Sequence, residues 1–234
     1  MKLNFAFISL IASAMLFGCG GGGGGETPAP VDVTYQLWNA FVNSAKESVS
    51  REFTASGTVS GFPVTASGSV AGQPMRAGSF EGRPALIKDT ATAGTLTING
   101  QTLPLIGLTS AFFDPNYLPL GMASDGEYDV VTGTPSFPQL AQVNDAGTLF
   151  TYARYADSSK TASLGTGVAS FALLPGSDTN ALLKVTVVER RQDGSVESTS
   201  TSTYSLQPEG VMVPLSDEYS SGGDTMNTQY GRVL

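Results

Sequence analysis

The 234-residue chain has no histidine, one cysteine (Cys19) and one tryptophan (Trp38). Without histidine there is no Ser-His-Asp or Cys-His catalysis, and no metal site that needs an imidazole. A lone cysteine allows no intrachain disulfide, so stability has to come from packing. Charge is also scarce: 14% of residues are charged, with 12 Lys and Arg against 20 Asp and Glu. Lys184 with Arg190-Arg191 is the densest positive stretch. That balance argues against nucleic acid or anionic lipid as a partner recognised by charge. The chemistry left to an enzyme is carboxylate pairs, Ser-Lys arrangements or tyrosine chemistry, and no catalytic motif of these kinds stands out.

What is present begins at the N-terminus. Lys2 is the only charge before Glu26, and residues 5–17 are apolar apart from Ser9 and Ser13. That run has the length of a secretory h-region and falls short of the about 20 residues of a membrane span. It ends in Leu16-Phe17-Gly18-Cys19, with an apolar residue three before the cysteine and a small one just before it. This stretch resembles the lipobox of bacterial lipoproteins. The resemblance implies cleavage after Gly18, thioether lipidation of Cys19, acylation of the new amino terminus, and a membrane held through lipid. A thiolate is the strongest common side-chain nucleophile, which suits selective lipidation. One acyl chain anchors only marginally, whereas two or three hold stably. Six glycines and Thr27-Pro28-Ala29-Pro30 follow. They read as a tether, and residues 20–33 would span about 20 Å if flexible. Gly20, where aspartate would favour inner-membrane retention, points to the outer membrane of a Gram-negative bacterium, facing the periplasm or the cell surface. The glycine run also resembles the tethers of surface-exposed lipoproteins. The expected organisation is a signal peptide (1–18), a lipidated cysteine and tether (19–33), and a β-rich globular domain (34–234) with a sub-boundary near 104–126. After loss of Lys2 the mature chain carries a net charge of −9.

The spacing predicts one helix over residues 34–48. Leu37, Trp38, Phe41, Val42 and Ala45 share a stripe, and Asn39, Asn43, Lys46 and Glu47 lie opposite. Asp32 or Thr34 would cap its start. With Lys46 its one basic residue, it reads as a helix packed on its own sheet rather than on a membrane. From Arg51 the period becomes two. Phe53, Ala55, Gly57 and Val59, then Phe62, Val64, Ala66, Gly68 and Val70, alternate with mostly hydroxyl residues. The result is two strands with a small apolar face that lets another element approach closely. Asn99-Gly100 marks a two-residue hairpin turn. Strand patterns at 147–157, 161–174, 181–191 and 196–206 form a meander, and shorter strands follow at 211–215 and 227–233. Seven of the eleven residues at 196–206 are Ser or Thr, which suggests an exposed or edge strand. The fold class is therefore mainly β: an antiparallel meander forming a sheet, half-barrel or barrel, with one N-terminal amphipathic helix.

Residues 104–126 lack a clear period and read as a long connection. If it is a lid over an apolar ligand, Phe112, Phe113, Tyr117 and Leu118 line the mouth. Asp125, Glu127 and Asp129 alternate, so in a strand they would share a face that suits calcium. Asp217-Glu218 and Asp224 around Ser220-Ser221-Gly222-Gly223 read as solvated surface, and Ser158-Ser159-Lys160 as a turn with a poor base. No cofactor is implied. The leading expectation is a non-enzymatic accessory or interaction lipoprotein of the cell envelope, whose partner is an envelope protein. The alternative is a carrier or sensor of an apolar ligand, similar in architecture to lipidated half-barrels of the outer-membrane lipoprotein-receptor type. A carboxylate-based hydrolase ranks third.

Overall fold

The computed structural model describes residues 33–177 and 179–234. The lipobox, Cys19, Asp32 and the tether up to residue 32 lie outside them. Alternating side chains build β1 (Thr34–Tyr35), β2 (Ser50–Val59), β3 (Phe62–Gly72), β4 (Arg76–Phe80), β5 (Arg83–Ile98), β6 (Gln101–Phe113), β7 (Pro119–Ser124) and β8 (Glu127–Thr132). They continue as β9 (Ala141–Gln142), β10 (Ala146–Tyr155), β11 (Ser163–Pro175), β12 (Ala181–Arg191), β13 (Val196–Leu206), β14 (Met212–Ser221) and β15 (Asp224–Val233). One helix, α1 (Leu37–Lys46), stands near the start.

Twelve of these strands close into an antiparallel barrel. The chain runs as a meander from β5 to β15, except that short β9 leaves the barrel to pair with β1. Closure comes through β15 on β2, where Tyr230 faces Phe53, and through β3 on the second half of β5, where Gly68 faces Gly94. The first half of β5 pairs instead with β4. Closure removes the exposed strand edges that a sheet of this size would otherwise present. The tight turns at Ser60-Gly61, Glu81-Gly82, Asn99-Gly100 and Gly222-Gly223 have positive φ at both residues. That geometry matches the right-handed twist of the flanking strands.

Over β2 and β3 the inward row is mostly apolar and the outward row hydroxyl-rich. Phe53, Val64 and Val70 are buried, whereas Thr54, Ser56, Thr58, Thr65 and Ser67 are exposed. A lipid-spanning barrel has the opposite sidedness. Two clusters fill the interior. One joins α1 through Leu37, Ala40 and Phe41 to Leu149, Phe171, Leu173, Leu183, Tyr204 and Leu206 of β10–β13. The other joins Phe53, Ala55, Val64, Ala66, Val70, Ile98, Leu105 and Met226 of β2, β3, β5, β6 and β15.

The structure revises several expectations. The helix is shorter than 34–48, and Gln36 rather than Thr34 stands at its N-cap, with its N–H donating to the Pro208 carbonyl at 3.0 Å. Thr34 belongs to β1. Residues 104–126 are not a long connection. They are the rest of β6, a short turn at Asp114–Leu118, and β7. Asp114 organises that turn by accepting the N–H groups of Asn116 at 2.7 Å and Leu118 at 2.9 Å through one carboxylate oxygen. β13 is not an edge strand but sits between β12 and β14, with Ser198 and Ser200 buried. β14 and β15 are ten residues each, joined at Gly222-Gly223. Asp217, read as solvated, is buried and accepts the Tyr230 hydroxyl.

Candidate functional site

The apolar cluster around α1 does not fill its half of the barrel. A cavity of about 220 Å³ remains, partly open to solvent, between the helix and the inner faces of β5–β8 and β10–β13. Its wall on the helix side is aromatic. Trp38 and Phe41 of α1 contact the Phe137 ring at centroid distances of 5.4 and 4.9 Å. Phe137 lies 6.2 Å from Phe150, which lies 6.2 Å from Tyr152. The helix is fixed over this space at its C-terminal end. The Lys88 ammonium donates to the carbonyl of Glu47, the residue that closes α1, where a cation also opposes the helix dipole. Lys46 stands 4.6 Å from the Tyr117 ring centroid, which links α1 to the β6–β7 turn.

Two acidic residues, Asp129 and Glu189, line the floor, and an ion cluster lies behind them. Arg154 of β10, 4% exposed, is ringed by carboxylates. Its Nε donates to Glu127 at 2.6 Å, Nη1 to Glu197 at 2.7 Å, and Nη2 lies 3.3 Å from Glu189. Glu189 also accepts the Ser198 hydroxyl at 2.6 Å and the Tyr152 hydroxyl at 3.1 Å. Asp129, 3% exposed, lines the cavity beside them. Burial works against the Arg154 charge, but Glu127 and Glu189 outweigh it and hold the guanidinium protonated. Burial, with Glu189 adding, raises the Glu127 carboxyl against the pull of Arg154. Asp129 is pushed up to about 9, first by burial and then by Glu127 and Glu189, and shares a hydrogen bond with Glu127. At neutral pH it is a carboxylic acid. Its Oδ1 has no hydrogen-bond partner.

Register explains the layout. Lys88, Ala111, Met122, Asp129 and Arg154 form one cross-strand row, each paired with the next. Lys88 and Asp129 are thus three strand spacings apart along the wall, about 14 Å. Burial lowers the Lys88 pKa, opposed by Glu47. The cavity therefore has a basic group on β5 and an acidic group on β8.

Of the four residues expected at an apolar mouth, Phe112, Phe113 and Tyr117 line the cavity, and Leu118 does not contribute to its lining. They come from a strand end and a tight turn, not from a flexible lid. Phe112 also stacks on Phe80, centroids 4.4 Å apart, so it is held by β4. The Asp125–Glu127–Asp129 series divides. Asp125 sits in the exposed turn before β8, while Glu127 faces Arg154 and Asp129 faces the cavity. Among the described residues no group of three or more carboxylate, cysteine or histidine side chains is placed to hold a metal ion. Lys160 pairs with Glu81 rather than with a serine nucleophile. Sequence reasoning missed Arg154 and Glu189. The signal was available for Glu189, which continues the inward row Leu183, Val185, Val187 of β12. Comparison with protein-family models, with curated proteins and with solved structures finds no match for this chain.

Proposed function

We propose that this protein is a non-enzymatic carrier or sensor, anchored in the outer membrane through lipid on Cys19, that holds a small and largely apolar ligand inside its barrel. The observation that carries the reading is the cavity between α1 and the barrel wall. An apolar cavity of about 150 Å³ takes up benzene; one of about 220 Å³ accommodates a single ring with a short arm. Concave, mostly apolar spaces with a few convergent polar groups are the usual form of a small-molecule site. The test is native mass spectrometry of the full chain purified gently from the producing cell, followed by titration of small aromatic compounds against Trp38 fluorescence. A stoichiometric small mass, or saturable quenching of Trp38, supports the reading. No bound mass and no response to any apolar probe overturns it. The anchor has its own test: Cys19→Ser should abolish lipid labelling and release the chain from membranes, and retention without lipid would contradict it.

A second reading, an interaction module of the envelope, draws on Ile106 and Leu108, which are 74% and 62% exposed on the outer face of β6. Crosslinking in cells would favour it if Ile106→Ser with Leu108→Ser removed a partner band. The hydrolase alternative draws least support, because three of the carboxylates grip Arg154 and the cavity is too small for a glycan chain.

A further inference from the structure

The cavity floor is not neutral: Asp129 and Glu189 line it, and behind them Glu127 and Glu197 join Glu189 on a single buried cation, Arg154. The further cation paired with these carboxylates among the described residues, Arg191, is half exposed and 3.7 Å from Glu197. A buried site with more carboxyls than cations has unspent capacity for positive charge, because uncompensated anions are costly to desolvate. Among these groups Asp129 is different. Glu127, Glu189 and Glu197 each meet the guanidinium, whereas Asp129 Oδ1, in a side chain 3% exposed, meets no donor at all. A buried acceptor left without a donor normally has one supplied from elsewhere. The aromatic wall leads to this point: Trp38, Phe137, Phe150 and Tyr152 are in serial ring contact, and the Tyr152 hydroxyl ends on Glu189. Aromatic faces also attract cations.

We infer that the floor of the cavity receives the ammonium group of a small aromatic or short-chain amine, with its N–H groups on Asp129 Oδ1 and the Glu189 side and its apolar body along the Trp38–Phe137–Phe150 wall. The inference rests on the reading of the cavity as a ligand site and adds the chemical class of the ligand. Lys88 does not oppose it, since it stands about three strand spacings away along the same row and is engaged with the Glu47 carbonyl. The charged and titratable groups facing Asp129 are Glu127 on its own strand, Arg154 and Tyr152 on β10, and Glu189 on β12; Met122 on β7 carries no charge. A cation arriving there favours the ionised form of Asp129, so the proton Asp129 holds at neutral pH leaves on binding.

The experiment uses the full chain and three probes of similar shape: phenethylamine, ethylbenzene and 3-phenylpropanoate. Trp38 fluorescence gives affinity, and calorimetry at pH 7.4 in buffers of different ionisation enthalpy counts protons. The expected result is a preference of about tenfold or more for phenethylamine over ethylbenzene, as for gain of a charge-assisted hydrogen bond. Release approaching one proton per amine bound is expected, with none for ethylbenzene. In Asp129→Asn the release disappears and the preference for the amine over ethylbenzene falls. Equal binding of the amine and ethylbenzene, or preference for the carboxylate probe, overturns the inference and leaves the carrier reading standing. Failure of all three probes overturns the carrier reading itself. The proton count on the unaltered protein needs no variant, so a poorly folded Asp129→Asn chain does not remove the test; amine binding without proton release overturns the role given to Asp129.

Discussion

On β2, β3 and the second half of β5 the inward row contains Ala55, Gly57, Ala66, Gly68 and Gly94. On β10 to β13 it contains Tyr152, Phe171, Leu183 and Tyr204. The two regions solve the interior of one barrel differently. In the first, strands approach so closely that a Cβ on Gly68 would lie 2.2 Å from the Ala93 carbonyl oxygen, and one on Gly94 2.2 Å from that of Ser67. Small side chains are a steric requirement there, and a few larger ones, Phe53, Val64 and Ile98, complete the packing. In the second, large side chains and an inserted helix occupy the volume without filling it. Rings and a helix are stiff shapes whose surfaces do not match a curved wall everywhere, and the gap that remains is the cavity. The ion cluster around Arg154 joins β10, β12 and β13 of this second region to the neighbouring β8. The comparison teaches that the hollow part of this barrel carries a linked set of ionisable groups, whereas the buried charges elsewhere, Arg51 and Asp217, stand apart from that set.

Four changes would break or sharpen that contrast. The largest effect belongs to Arg154. Arg154→Met would leave Glu127 and Glu189, 10% and 12% exposed, without their shared cation, and removal of one partner from such a cluster costs about 3–5 kcal/mol. Urea denaturation should show the midpoint fall accordingly, and an unchanged midpoint would mean that water already compensates the carboxylates. Next comes the close-packed region. Gly68→Val should cost about 1–3 kcal/mol by overpacking, read as a drop in thermal midpoint; if the variant were neutral, the β3–β5 approach would not be steric.

The third change concerns pH. The folded-state pKa of Asp129, about 9, lies above its range near 3.9 in an unfolded chain. A raised folded pKa means stability fully present below the unfolded value and lost as pH rises through the folded one. Asp129→Asn removes this dependence. From pH 6 to pH 7 the variant should gain on the parent by up to about 1.4 kcal/mol, the limit for one proton. Parallel curves for the two proteins would show that Asp129 is ionised throughout. The smallest effect is expected from adding volume to the hollow region. Ala169 is buried and lines the cavity. Ala169→Val should stabilise by about 0.5–1 kcal/mol as a cavity-filling change, in contrast to Gly68→Val, and should weaken quenching of Trp38 by added aromatics.

Local signals carried much of the architecture. The strand patterns at 181–191 and 196–206 coincide with β12 and β13 residue for residue, because turns rich in Gly, Asp and Ser bound both and β12 carries the apolar inward row Leu183, Val185 and Val187. Asn99-Gly100 marked its hairpin because both residues tolerate positive φ. The stripe of Leu37, Phe41 and Ala45 predicted the helical face that is buried. Residues 104–126 misled because Pro104 and Pro119 stand inside or at the start of strands, and because a bulge between Phe112 and Phe113 shifts the alternation. The turn itself was legible in Asp114-Pro115-Asn116, a sequence in which the aspartate side chain replaces backbone partners.

The sequence by itself therefore determined which segments alternate, where they turn and that one helix precedes them, since these depend on neighbours a few residues apart. Only the tertiary structure decided that the meander closes on itself. Closure depends on pairings such as Phe53 with Tyr230 and Gly68 with Gly94, which join residues far apart in the chain. The cavity and its charge are decided there too. Glu127, Asp129, Arg154, Glu189 and Glu197 come from β8, β10, β12 and β13, and no spacing along the chain expresses that four strands will curve until their inward residues meet.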